Sequence, residues 1–121
     1  MEKDLKLHDA EYRFACIVWK HEPIQSGDLA KLAEQLLGWK RTTTYTVLKK
    51  LCIRKIFQNE GSIVTSLVKK EEVQQYESRE VIKKGFGNSL PQFIAAFLGD
   101  NSLSEKEAEE IKDLIERYKK S

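Results

Sequence analysis

Apolar residues recur along this chain every three to four positions, in runs separated by short breaks of Gly, Pro, Ser and Asn, a period that predicts a mostly helical protein. LHDAEYRFACIVWK, residues 7–20, carries Leu7, Phe14, Ile17, Val18 and Trp19 and suits an amphipathic helix starting near Asp9 as its N-cap. The turn HEPIQ ends it. Ser26 is placed to cap a second helix, SGDLAKLAEQLLG, with Leu29, Leu32, Ala33 and Leu36 on one face and Gly38 as its stop. A third helix follows after a short connection. KIFQNE and SIVTSLV, two β-rich runs about Gly61, read as a hairpin. Beyond them lie a charged helix, KEEVQQYESREVIKK, then NSLPQFIAAFLGD, then SEKEAEEIKDLIERYKK. The last opens with a capping box of Ser104 and Glu107 and ends on Lys119 and Lys120, whose charge suits the negative end of a helix.

The order helix, helix, helix, hairpin predicts a mainly α fold with a small β-hairpin: a winged helix-turn-helix over residues 1–70, followed by a helical dimerisation region over 71–121. The third helix carries the functional argument. In WKRTTTYTVLKKL, stepped at 100° per residue, Val47, Leu48, Leu51 and Cys52 fall together with Thr44. Thr42, Thr43, Thr46, Lys49 and Lys50 fall opposite, with Tyr45 at the boundary. Short hydroxyls near a helix start can approach base edges and the thymine methyl in a major groove, and lysines a turn or two later can meet phosphates. A solvated basic face is the plain alternative.

Charge sharpens this picture. Residues 40–55 hold six Lys or Arg and no acid. Residues 1–70 carry 13 Lys and Arg against 8 Asp and Glu, and residues 71–121 carry 8 against 11, so the overall +2 conceals a basic half able to face a polyanion and an acidic half that is not. A chain of 14.0 kDa with mean hydropathy −0.52 fits one globular domain, or one domain with a short appendage. No apolar run approaches the roughly 20 residues of a membrane span, and the charged MEKDLKLHD shows no signal peptide. The expected compartment is the cytoplasm, with Cys16 and Cys52 as buried thiols inside apolar patterns.

Four stretches resemble the penicillinase and methicillin-resistance repressor family (BlaI/MecI type). They are LHDAEYRFACIVW, GWKRTTTYTVLKKL, and ESREVIKKGFGNSLPQFIAAFL with LSEKEAEEIKDLI. The most specific pieces are Tyr12 and Trp19 framing the first helix, the Trp39-x-x-x-Thr43-x-x-Thr46 run, and the segment from Phe86 to Leu98. Copper-responsive repressors share the N-terminal module, but their paired C-terminal Cys-x-Cys motifs do not occur here. The resemblance implies a homodimeric repressor of the kind involved in β-lactam resistance regulation, bound to double-stranded DNA at an inverted-repeat operator. It places Arg41, Thr42, Thr43, Tyr45 and Thr46 in the DNA-reading part of the third helix. It also implies release by a regulatory protease, with the scissile junction at Ala96 and Phe97, although Ala stands where the best-known members have Asn. Lys55 likewise stands where a Gly usually ends the recognition helix.

No G-x-S-x-G, Walker or G-x-G-x-x-G sequence is present, and His8, Cys16 and His21 do not match a zinc spacing. No catalytic residue, metal ligand or cofactor is therefore assigned, and Glu107, Glu109 and Glu110 are read as serving the helix dipole. Trp19 and Trp39 read as packing aromatics. Phe93, Ile94, Phe97 and Leu98, with Ile111, Leu114 and Ile115 on the last helix, make apolar faces read as a subunit interface, with an intramolecular core as the alternative. Two function classes stay open: a sequence-specific DNA-binding repressor, and a winged-helix protein-interaction module.

Overall fold

In the computed structural model, which describes residues 3–120, the elements run α1 (Asp9–His21), β1 (Ile24–Gln25), α2 (Ser26–Leu37), α3 (Arg41–Ile53), β2 (Phe57–Glu60), β3 (Ile63–Ser66), α4 (Lys70–Gly85), α5 (Leu90–Leu98) and α6 (Glu105–Tyr118). The chain divides into two compact units, the first ending at Glu80 and the second beginning at Val81, a boundary inside α4. The first unit holds a winged helix-turn-helix, made of three helices and an antiparallel sheet of order β1-β3-β2, together with the first part of α4. Gly61 and Ser62, both at positive φ (57° and 67°), form the two-residue turn between β2 and β3, a backbone matched to the twist of paired strands.

Phe14, Leu29, Leu51, Ile56, Phe57, Val64 and Val73 are fully buried and fill the core of this unit. Aromatic rings brace it: Phe14 stacks on Trp39 with centroids 5.3 Å apart, while Phe57 meets Phe14 and Trp19 edge-on. The Trp19 indole N–H donates to the Val68 carbonyl at 2.9 Å, so this ring joins α1 to the strand side without leaving its donor unpaired. Glu22, at the close of α1, accepts from both the backbone N–H and the hydroxyl of Ser66 on β3, each at 2.8 Å.

Helix starts differ from the sequence expectation at two places. His8, not Asp9, is the N-cap of α1, because the Glu11 carboxylate folds back to accept the His8 N–H at 2.8 Å. Gln25, not Ser26, is the N-cap of α2. Ile24 and Gln25 pair with Val64 and Ile63 as a short strand, and the Ser26 N–H donates to the Ser62 carbonyl at 2.8 Å, which draws Ser26 into the fold as a buried first residue. Leu36, expected on the inner face of α2, is exposed; the packed stripe runs through Leu29, Ala33 and Leu37.

Gly38 closes α2 in the left-handed conformation (φ 70°), as expected. At the end of α3 the same job falls to a lysine. Lys55 sits at φ 61°, with its N–H on the Cys52 carbonyl and the Ile56 N–H on the Leu51 carbonyl at 2.9 Å, the double bond pattern that ends helices at glycine. A side chain in that backbone region is strained by about 1 kcal/mol. Lys55→Gly is therefore expected to stabilise the protein by about 0.5–1 kcal/mol despite the looser unfolded chain. A rise in the urea midpoint at unchanged slope is the check, and a variant no more stable than its parent would refute the strain.

In the second unit Ser89 caps α5 through the Gln92 N–H, and Ser104 caps α6 through the Glu107 N–H at 3.1 Å. No residue of either helix is buried. Phe86, Phe93 and Phe97 contact one another in series, while Leu90, Ile94, Ile111, Leu114, Ile115 and Tyr118 are exposed.

Candidate nucleic-acid interface

Trp39, packed on Phe14, fixes where the chain enters α3, and Thr44, Leu48 and Leu51 anchor the helix inward. Thr44 is fully buried, and its hydroxyl has no hydrogen-bond partner among the described residues. Arg41, Thr42, Thr43, Thr46, Lys49 and Lys50 are exposed, with Tyr45 half-buried between the two faces. The division of the helix read from 100° steps is thus the division found, except that Val47 and Cys52 are only half-buried.

The exposed side chains are not equivalent. Arg41 lies over the Tyr45 ring, 5.6 Å from its centroid, and donates to the Tyr45 hydroxyl at 3.4 Å. A Cβ on Gly27 would lie 3.8 Å from the Arg41 guanidinium and 3.0 Å from the Gln25 amide oxygen, so the guanidinium also stands beside the start of α2. Such bracing on an aromatic ring lowers the entropy lost when the group meets an anion. Thr46 donates its hydroxyl to the Thr42 carbonyl at 2.9 Å. Its proton is committed to the backbone, leaving the methyl and the oxygen lone pairs to face outward.

Lys50 is drawn away from its neighbours. Its ammonium lies 3.1 Å from Glu11 Oε2 on α1. Lys49 has no acid within ion-pair distance among the described residues. Beside it, Tyr45, Leu48, Lys49, Cys52 and Asn59 line a shallow cleft of about 330 Å³ between α3 and β2. Asn59 reaches this cleft from the hairpin, a neighbour no helical pattern could reveal. Burial pushes the Cys52 thiol up from its ordinary range, so it is neutral rather than a nucleophilic thiolate. Gln58, Asn59 and Glu60 give the wing no cation of its own.

A larger cleft of about 780 Å³ lies at the far end of α1, lined in part by Cys16, Trp19, Glu22 and Lys70. Its indole N–H and its Glu22 carboxylate are already bonded within the fold. Among the described residues no group of three or more His, Cys, Asp or Glu is placed to hold a metal, and no helix is long and apolar enough to cross a membrane.

The predicted interface residues of the second unit stand open in the single chain. Phe97 is 71% exposed and Ile115 is 54% exposed, with Ile94, Ile111 and Leu114 also exposed and Phe93 and Leu98 half-buried. Ala96 and Phe97 are both exposed on α5.

A penicillinase repressor of Bacillus licheniformis is 23% identical over 123 aligned positions, covering 98% of this chain and 96% of that one. The sequence pattern of the penicillinase repressor family matches residues 7–117, which takes in the winged helix-turn-helix and the apolar helices after it. On that match the chain belongs to the penicillinase repressor family of transcriptional regulators.

Proposed function

We propose that this repressor binds double-stranded DNA as a homodimer, each winged unit reading one half of an inverted-repeat operator, in the cytoplasm where that DNA lies. On this reading residues 1–70 bind DNA and residues 71–121 dimerise. The observation that carries it is the outward face of α3. Arg41, Thr42, Thr43, Thr46 and Lys49 stand exposed on a helix anchored in the core, within a stretch free of acids. Threonines supply short polar and methyl contacts for base edges, while Arg41 and Lys49 supply charge for the backbone.

The uncovered apolar faces of α5 and α6 support dimerisation, because exposed apolar side chains in such number on a small helical pair call for a partner surface. Release follows if the arm is cut between Ala96 and Phe97, both of which are accessible.

Selection of bound duplexes from a random pool tests the reading. The expected product is a pseudo-palindrome whose half-site centres lie about one helical turn apart or a multiple of it. Thr46→Val, which keeps the methyl, is expected to retain preference, whereas Thr43→Ala and Thr46→Ala relax it with little loss of non-specific binding. Lys49→Ala is expected to weaken all duplexes alike and to flatten the salt dependence of log affinity by about 0.9. Enrichment of no sequence, with flat salt dependence, would favour a protein-interaction module instead.

A further inference from the structure

Glu11 is a carboxylate buried beneath the proposed DNA-reading helix. Its side chain is 8% exposed, its Oε1 accepts the His8 backbone N–H at 2.8 Å, and its Oε2 lies 3.1 Å from the Lys50 ammonium. Lys50, at 58% exposure, is otherwise free to meet solvent, yet it turns back to α1. Its neighbour Lys49 has no acid within ion-pair distance among the described residues.

Burial works to raise the Glu11 pKa, but the His8 N–H and the Lys50 ammonium outweigh it and hold the group below its ordinary value. Glu11 is therefore charged at any pH near neutrality. Moving Lys50 onto a DNA phosphate would strand that carboxylate, buried and without its cation, next to a polyanion. Affinity from phosphate contacts comes from displacing the counter-ions of DNA by cations that arrive unneutralised. A lysine already neutralised within the fold brings little of that gain.

We propose that Glu11 acts as an internal stand-in for a phosphate. It takes Lys50 out of the charge exchange with DNA and makes Lys50 a positioning residue that sets the pose of α3 against α1. Lys49 is then the phosphate-binding member of the adjacent lysine pair. This rests on the DNA-binding reading and assigns the two lysines different work, where sequence alone made them equals.

The test is the salt dependence of affinity for a random-sequence duplex, with operator preference measured alongside, using the full chain. Lys49→Met is expected to reduce the slope of log affinity against log salt by about 0.9. Lys50→Met should leave that slope where it was while eroding preference for the selected operator, and Lys50→Arg, which can keep the carboxylate pair, should restore preference. Glu11→Gln should steepen the slope by about 0.9, because Lys50 is then free to meet a phosphate. Equal flattening by Lys49→Met and Lys50→Met would overturn the proposal. So would a Glu11→Gln protein whose slope matches that of its parent. Should Glu11→Gln fail to fold, the two lysine variants decide alone. If the unaltered chain shows no salt-dependent duplex binding, the DNA reading itself fails, a result visible before any variant is made.

Discussion

A chain ending at Ala96 is expected to bind the full operator some 10²–10⁴-fold more weakly than the intact protein while binding an isolated half-site almost unchanged. The loss is one of effective concentration. When two winged units are linked, the second half-site is bound within the complex rather than from solution, and the gain needs no additional DNA contact. Ending at Ala96 removes Phe97 and Leu98 from α5 and the whole of α6, with Ile111, Leu114 and Ile115. It leaves the core of the first unit, from Leu7 to Val73, complete. The shortened protein should therefore be folded and monomeric at micromolar concentration by sedimentation. Retention of dimerisation and of tight operator binding would sink both the arm's assigned role and release by cutting, and would turn attention to a small-molecule effector.

Phe57→Ala should cost the first unit about 3–5 kcal/mol. Phe57 is fully buried at the start of β2 and touches both Phe14 and Trp19, so its removal opens a cavity where α1, the wing and the entrance to α3 are held together. Domains of this kind are commonly stable by only about 5–15 kcal/mol, and such a loss leaves the weaker part of that range largely unfolded. Ile63→Ala, on the neighbouring strand but 43% exposed, serves as the control and should cost far less. Urea unfolding monitored by circular dichroism gives the comparison. A Phe57→Ala protein within about 1 kcal/mol of its parent would show that the cavity collapses or that the aromatic cluster is not the centre of the core.

Sequence pattern carried the helices, the hairpin at Gly61 and the two faces of α3, because each depends on local periodicity or on a residue with a restricted backbone. Thr44 could be placed inside by angle alone, and it is buried. The short β1 could not be read. Two residues have no period, and Ile24 and Gln25 form a strand only because Val64 and Ile63 arrive beside them. That same pairing displaced Ser26 from its expected capping role. The direction taken by Lys50 was equally hidden: a helical angle fixes where a side chain leaves the backbone, whereas a four-carbon stem ends wherever a carboxylate waits. Glu11 supplies that carboxylate from another helix. Thr46 shows the same limit at smaller scale, since its outward position was legible but the commitment of its hydroxyl proton to Thr42 was not.

The two tryptophans occupy distinct stations, and this gives the protein a pair of built-in optical reporters. Trp39 lies face to face with Phe14 just before α3 begins, so its emission follows the entrance to the helix proposed to enter the groove. Trp19 is held edge-on to Phe57 with its N–H on the Val68 carbonyl, so its emission follows the seating of the wing on α1. With Trp19 replaced by Phe, the remaining indole watches the entrance to α3 without any attached label. The reciprocal replacement at Trp39 watches the core.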